Sequence, residues 1–235
     1  MDASLIKLAA EHAGIPPTLE LLRKTAHFID VLLEANQSVN LTAITEPFAV
    51  ATRHLQDCWT PARFIAEGAS VIDVGTGAGF PGIPLFIARP DLNMTLLDAA
   101  AKRVRFLESV VRQLFAETLI PRVIHGRAEE LGHDLCHREK YDVAIARAVT
   151  SLPVLAEYCL PFVKLEGLFI AMKGRDDETE EAKRAIGLLG GELEEIYRYE
   201  LFEIDVPFTI IIIRKRTATL PRYPRRTAAI KRRPL

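Results

Sequence analysis

The stretch S-V-I-D-V-G-T-G-A-G-F-P-G-I-P, residues 70–84, sets a short β-branched apolar run, with Asp73 inside it, directly before Gly75, Gly77, Gly79 and Gly82. An apolar run bounded by glycines reads as a buried parallel strand, and the apolar residues from Ile83 to Ala88 read as a helix after a tight turn. Glycine suits such a turn because it tolerates positive φ and because its missing Cβ lets a ligand approach the backbone. A G-x-G-x-x-G register starting at Gly75 fails at Phe80, but the register Gly77, Gly79, Gly82 fits, so the glycines alone do not exclude a dinucleotide. The run M-T-L-L-D then ends at Asp98, a carboxylate roughly 20 residues on that can accept hydrogen bonds from ribose hydroxyls. Either reading implies an adenosine-type cofactor.

From Ser70 onward, strand-like and helix-like segments alternate. Strands are predicted near 70–75, 92–98, 120–125, 141–146 and 167–173, and helices near 83–89, 100–115, 127–137, 151–160 and 177–189. A run of βα units makes a parallel sheet with helices on both faces. The end of the chain breaks the alternation. A strand over 192–202 is joined through Asp205-Val206-Pro207 to F-T-I-I-I-I at 208–213, with no room for a helix, so the two pair antiparallel. A nicotinamide domain would continue in parallel; the hairpin favours the methyltransferase version of this sheet. Upstream, helical apolar spacing covers 2–13 and 18–36, separated by Gly14-Ile15-Pro16-Pro17. A third helix is expected near Pro47, with Thr45 as its N-cap, carrying Arg53, His54 and Asp57. The expected division is a helical cap over 1–66, a cofactor-binding domain over 67–216 and a basic tail over 217–235.

With 235 residues, 49% of them hydrophobic, the chain has ample core for one domain with an added segment. No apolar run approaches the ~20 residues of a membrane span, and Asp2 and Lys7 leave no signal-peptide core, so a cytoplasmic protein is expected. Cys58, Cys136 and Cys159 are odd in number and form no C-x-x-C, as in a reduced compartment. The net charge of −1 hides an asymmetry: from Arg214 to Leu235 stand nine Lys or Arg and no acid, leaving 21 bases against 31 acids in the other 213 residues. A basic end on an acidic body points to a polyanionic partner; the plainer alternative is a solvated, disordered end.

Several expected strands end in polar residues: Asp98, then G-R-A-E-E at 126–130, then Arg147 after Y-D-V-A-I-A, then Lys173-Gly174. Ligands of such sheets bind outside these ends, so the set should line one crevice, although a single strand-end cation is more often a surface charge. Lys102, Arg103 and Arg105 open a helix where they oppose its dipole, which an RNA backbone would explain and stability would not. His133, Cys136 and His137 are too few to make a metal site, and His54 with Asp57 reads as a surface hydrogen-bonded pair more readily than as a catalytic dyad.

The chain resembles the bacterial glucose-inhibited division protein B family over nearly its whole length. The resemblance is carried by Asn40-Leu41-Thr42-Ala43-Ile44, Arg53-His54 with Asp57, V-I-D-V-G-T-G-A-G-F-P-G-I-P-L at 71–85, L-L-D at 96–98, K-R-V-R-F-L at 102–107, G-R-A-E-E at 126–130, A-R-A-V at 146–149, A-M-K-G at 171–174 and R-Y-P-R-R at 222–226. It implies an α/β fold of the class I (Rossmann-like) methyltransferase type: a mainly parallel seven-stranded sheet with a C-terminal antiparallel hairpin and an N-terminal helical extension. The implied activity is methylation of N7 of a guanine in small-subunit (16S) ribosomal RNA, with S-adenosylmethionine as cofactor.

The resemblance also implies that Gly75 and Phe80 contact the cofactor, that Ala128 and Glu129 flank its adenine, and that Arg147 sits by its methionine end or the target. With the strand-end reading, the candidate cofactor residues are Asp73, Gly75, Gly77, Gly79, Phe80, Asp98, Ala128, Glu129 and Arg147. The candidate catalytic residues are Arg147, Asn40 and His54. The candidate RNA contacts are Lys102, Arg103, Arg105, Arg127, Lys173, Arg222, Arg225 and Arg226, and no metal is expected. The expected partner is small-subunit RNA or the assembling subunit, met by a monomer. Two departures from the family pattern are Ala228 with Ile230, where a glycine and a proline are usual, and Cys58, where serine is common. The rivals are a small-molecule methyltransferase, disfavoured by the basic clusters, and a non-catalytic ribosome-assembly factor, disfavoured by the intact glycine turn and Asp98.

Overall fold

Strands form at Ser70–Val74 (β1), Asn93–Asp98 (β2), Arg122–His125 (β3), Tyr141–Arg147 (β4), Val163–Lys173 (β5), Gly191–Leu201 (β6) and Ile204–Lys215 (β7) in the computed structural model, which describes residues 1–115, 120–147, 150–174 and 178–235. Ala148 and Val149 of the A-R-A-V motif, and Asp177 at the expected start of the last long helix, lie outside the described residues. The sheet order is β3-β2-β1-β4-β5-β7-β6, parallel through β5 and antiparallel where β7 joins β5 and β6. The seven-stranded sheet and its closing hairpin are therefore as expected. The chain leaves β1 toward β2 and β3 on one side and returns to β4 on the other, so β1 and β4 flank the topological switch point, where open α/β sheets bind ligands.

Helices α1 (Ala3–Ala13) and α2 (Leu19–Val39) start at Asp2 and Thr18, whose side chains cap Ser4 and Leu21. Their apolar faces, through Ile6, Phe28, Ile29 and Leu32, join one core with Val71, Leu96 and Ile170 of the sheet and with Leu85 of the helix that follows the first strand. Next come α3 (Pro47–Val50), a π-helical turn over Ala51–Gln56 and α4 (Asp57–Trp59). Glu46, not Thr45, caps α3: its carboxylate accepts from both Phe48 N and Ala49 N, which places it closer to the free N–H groups than a hydroxyl one residue earlier. The remaining α-helices among the described residues are α5 (Gly82–Ala88), α6 (Ala101–Leu114), α7 (Ala128–Leu131), α8 (Leu152–Cys159), α9 (Thr179–Leu188) and α10 (Thr227–Arg232).

Two expectations are corrected. The helix predicted over 127–137 stops at Leu131, because Gly132 follows and Asp134 then turns the chain by accepting the Cys136 N–H at 2.8 Å. The connection predicted at 205–207 is strand: the turn lies at Phe202-Glu203, with Glu203 at φ 53°, and Pro207 sits opposite Glu200 inside β7. Pairing with β5 begins only at Thr209, so Pro207 occupies a single-partner stretch where a proline is tolerated.

The basic end is folded onto the body. Tyr223 and Ile230 belong to the second core cluster, with Leu155, Phe162 and Ile211. The Arg138 guanidinium donates to the carbonyls of Gly132, Thr219, Leu220 and Tyr223. Arg225 clamps Glu157, whose side chain is 0% exposed, through its backbone N, its Nε and its Nη2.

Candidate active site

The chain leaves β1 through Gly75, Gly77 and Gly79, all at positive φ. A Cβ on Gly77 would meet nothing nearer than 4.0 Å, so the turn faces open space there. At Gly82 the reason for glycine is packing: a Cβ would lie 2.3 Å from Leu96 Cδ2 and 2.8 Å from Asp73 Oδ2. Asp73 is buried under this turn. Its Oδ2 accepts from Thr76 Oγ1 at 2.6 Å and from Gly82 N at 2.8 Å, while its equally buried Oδ1 has no partner. Burial pushes its pKa up to about 7. Buried polar oxygens are normally satisfied, so an orphan carboxylate oxygen beside a glycine cradle fits a ligand that brings a cationic group. S-adenosylmethionine, with its ammonium and sulfonium, is such a ligand.

Asp98 closes the cradle from β2. Its Oδ2 accepts the Gly77 N–H at 2.9 Å and its Oδ1 the Ala100 N–H at 2.8 Å, with Arg103 Nη1 3.6 Å away. The carboxylate therefore fixes the turn and, with one backbone N–H at each oxygen, retains acceptor capacity.

At the adjacent strand end, β4 delivers Arg147. Its Nη1 donates to Arg53 O at 2.8 Å and to Asp57 Oδ2 at 3.0 Å, and its Nη2 lies 3.1 Å from His54 Nδ1. In the π-helical turn the Asp57 N–H reaches the carbonyls of Thr52 and His54, so the Arg53 carbonyl, its partner in an α-helix, meets Arg147 instead. A guanidinium only donates, so His54 Nδ1 accepts and the ring proton sits on Nε2, which meets Thr42 Oγ1 at 2.9 Å. His54 is buried, and burial, reinforced by the Arg147 charge, lowers its pKa to about 3. Its ring stacks on Phe80 at 4.1 Å and 13°, and Arg147 Cζ stands 5.2 Å from the same ring. The expected surface pair of His54 and Asp57 is thus a buried pair joined through Arg147. Phe80 connects the glycine turn to that cluster.

A family model described as rRNA small subunit methyltransferase G matches residues 21–199. A ribosomal RNA small subunit methyltransferase G from Acetivibrio thermocellus is 43% identical over 239 residues, covering 100% of this chain and 98% of its own length. Another, from Thermoanaerobacter sp. strain X514, is 47% identical over 87% of this chain and 86% of its own. The chain belongs to the rRNA small subunit methyltransferase G family. Among solved structures, TrmN from Thermus thermophilus superposes with a TM-score of 0.53 at 15% identity, over 80% of this chain and 52% of that one, a likeness of fold. As a member of this family the chain is an rRNA methyltransferase with the class I fold, and S-adenosylmethionine is its cofactor, as the sequence resemblance implied.

The other residues singled out in the sequence fall into three groups. Lys102, Arg103 and Arg105 are exposed on the first turns of α6, beside Asp98. Arg127 and Arg226 are exposed and line a cleft of about 660 Å³ with Glu129, His133 and Thr227. Arg222 is exposed, its guanidinium 5.1 Å from the Tyr223 ring. Two supposed RNA contacts are instead paired inside the protein: Arg225 with Glu157, and Lys173 with Glu178 at 2.7 Å and Thr150 O at 2.9 Å. The tail position of Arg225 carried no sign of Glu157, which lies on another element. Glu129 accepts from the Thr227 hydroxyl at the start of α7, next to half-buried Ala128. Asn40 ends α2 at φ 52° and is exposed, two residues before Thr42, which reaches His54. His133 Nε2 meets Pro224 O at 2.7 Å and His137 Nδ1 meets the Tyr141 hydroxyl at 2.8 Å, and the described residues hold no cluster suited to a metal. Sequence reasoning missed Tyr199, whose hydroxyl donates to Asp57; nothing in the alternation of β6 links it to a residue 142 positions away.

Proposed function

We propose that this enzyme methylates N7 of a guanine in small-subunit ribosomal RNA without a general base, working as a monomer in the cytoplasm on RNA or on the assembling subunit. The observation that carries the reading is the Arg147 cluster at the mouth of the Asp73 and Asp98 cradle. S-adenosylmethionine, when bound, supplies an electrophilic methyl group. Asp73 offers its orphan oxygen to the cationic end of that molecule, Asp98 receives the ribose hydroxyls, and the glycine turn leaves room for both.

Guanine N7 presents an in-plane lone pair and has no proton to lose, so the protein's task is to orient the base. Of the five N–H donors of Arg147, three are held by Arg53 O, Asp57 and His54, which leaves two for substrate. Guanine exposes O6 beside N7, so an arginine donor on O6 orients the ring and leaves N7 free to attack. His54 is suited to holding that arginine and unsuited to taking a proton, because its pKa is lowered to about 3. Lys102, Arg103, Arg105 and Arg127, which follow the ends of β2 and β3, would with the exposed Arg222 and Arg226 supply contacts to phosphates. The test is transfer of labelled methyl from S-adenosylmethionine to small-subunit RNA from cells lacking this gene. Transfer by the wild type that is strongly slowed in Arg147→Ala supports the reading, whereas an undiminished rate for Arg147→Ala refutes it.

A further inference from the structure

The Asp57 carboxylate holds Arg147 with one oxygen, and its other oxygen belongs to a strand from the far end of the chain. Tyr199 on β6 donates its hydroxyl to Asp57 Oδ1, while Oδ2 receives Arg147 Nη1 at 3.0 Å. The neighbouring residue repeats the connection: Gln56 Nε2 donates to Glu200 O at 3.2 Å, and Gln56 Oε1 accepts the Phe202 N–H at 3.0 Å. Phe202, at the tip of the hairpin, lies 4.6 Å from the His12 ring and 6.1 Å from the Phe48 ring. The Tyr199 ring is braced by Tyr197 and Phe208, each at 6.0 Å. Burial, with the Asp57 charge beside it, pushes the Tyr199 pKa upward, so the hydroxyl stays a donor through the neutral range.

A carboxylate held at one oxygen can still rotate about its terminal torsion, whereas donors on both oxygens fix its plane. The guanidinium it grips is fixed with it. We propose that Tyr199 is a positioning residue for methyl transfer: its hydroxyl locks the Asp57 carboxylate, and through it the direction in which Arg147 presents its free donors to the base. This rests on the role given to Arg147 above, and it makes the C-terminal hairpin part of the active site.

Tyr199→Phe keeps the ring and removes only the hydroxyl. Single-turnover rates at saturating S-adenosylmethionine, on small subunits lacking the modification, should be compared for the wild type, Tyr199→Phe, Arg147→Ala and the double variant. Tyr199→Phe should slow transfer about tenfold through loss of alignment, with cofactor affinity unchanged and the protein still folded at the assay temperature. In the Arg147→Ala background the same substitution should cost nothing further, since two residues acting through one contact are not additive. An undiminished rate for Tyr199→Phe, or an equal loss in both backgrounds, overturns the inference. A normal rate for Arg147→Ala alone removes instead the Arg147 role on which it rests. Should Arg147→Ala not fold, Arg147→Lys, which lacks the planar fork, takes its place with the same expected pattern.

Discussion

Replacing Arg225 with alanine should destabilise the whole fold, although its place in a basic segment suggests an RNA contact. Arg225 gives Glu157 two side-chain donors and a backbone N–H; the Glu157 side chain is 0% exposed and that of Arg225 25%. Removing one partner of a buried ion pair costs about 3–5 kcal/mol, and the partial exposure of this site brings the expectation to about 2–4 kcal/mol. In a chain of 235 residues each kcal/mol moves the melting temperature by roughly 2–4 °C, so the midpoint should drop by roughly 4–16 °C. Circular dichroism melts and urea titrations read this directly. Arg225→Ala combined with Glu157→Gln should recover much of the loss, because no unpaired charge then remains buried. An unchanged midpoint for Arg225→Ala, together with weakened RNA binding, would show that the guanidinium faces RNA and that the ion pair is not structural.

Asp98→Ala should weaken S-adenosylmethionine binding by about 1–3 kcal/mol in calorimetry, because it removes the ribose acceptor and frees the Gly77 N–H; equal affinity would take Asp98 out of the site. Neutralising the exposed Lys102, Arg103, Arg105 and Arg226, and leaving Arg225 in place, should flatten the log-log salt dependence of RNA binding by roughly 0.7 per lost single-strand contact, and an identical slope would make these cations bystanders. With its folded pKa lowered to about 3, His54 is neutral in the native state across pH 6–8, so the single-turnover rate should be nearly flat there and His54→Ala should lose less rate than Arg147→Ala. The same shift has a sign for stability: the contribution from keeping His54 neutral is complete above pH ~6.5 and lost as pH falls toward 3. A tenfold rate increase per pH unit, abolished by His54→Ala, would contradict both.

The sheet was legible because its strands are continuous apolar runs ended by polar residues, and the hairpin because no helix fits between its strands. The glycine turn and Asp98 were legible because close approach to a ligand restricts residue type over a short span. What the sequence hid is non-local or depends on a single hydrogen-bond register. The π-helical turn over Ala51–Gln56 looks like any helix in composition, yet its register is what turns the Arg53 carbonyl to Arg147. Arg225 looked like a free cation because charge pattern is read along the chain, while Glu157 meets it from 68 positions upstream; Glu178 stands only five residues past Lys173, and that pairing was overlooked. The basic segment read as an arm for a polyanion rather than a packed segment because its anchors, Arg138 and Glu157, lie 68 or more positions upstream of the residues they hold.

The central claim is a specific atom on a specific RNA, and mass-spectrometric mapping of nucleosides tests it directly. Small-subunit RNA from cells lacking the gene should be digested and analysed before and after incubation with the purified protein and S-adenosylmethionine. The expected result is one guanine, unmodified at the start, that becomes 7-methylguanosine with wild-type protein and does so far more slowly with Arg147→Ala. A methyl group at any other atom, or none with cofactor-bound wild-type protein, would contradict the account of Arg147 and the baseless transfer to N7.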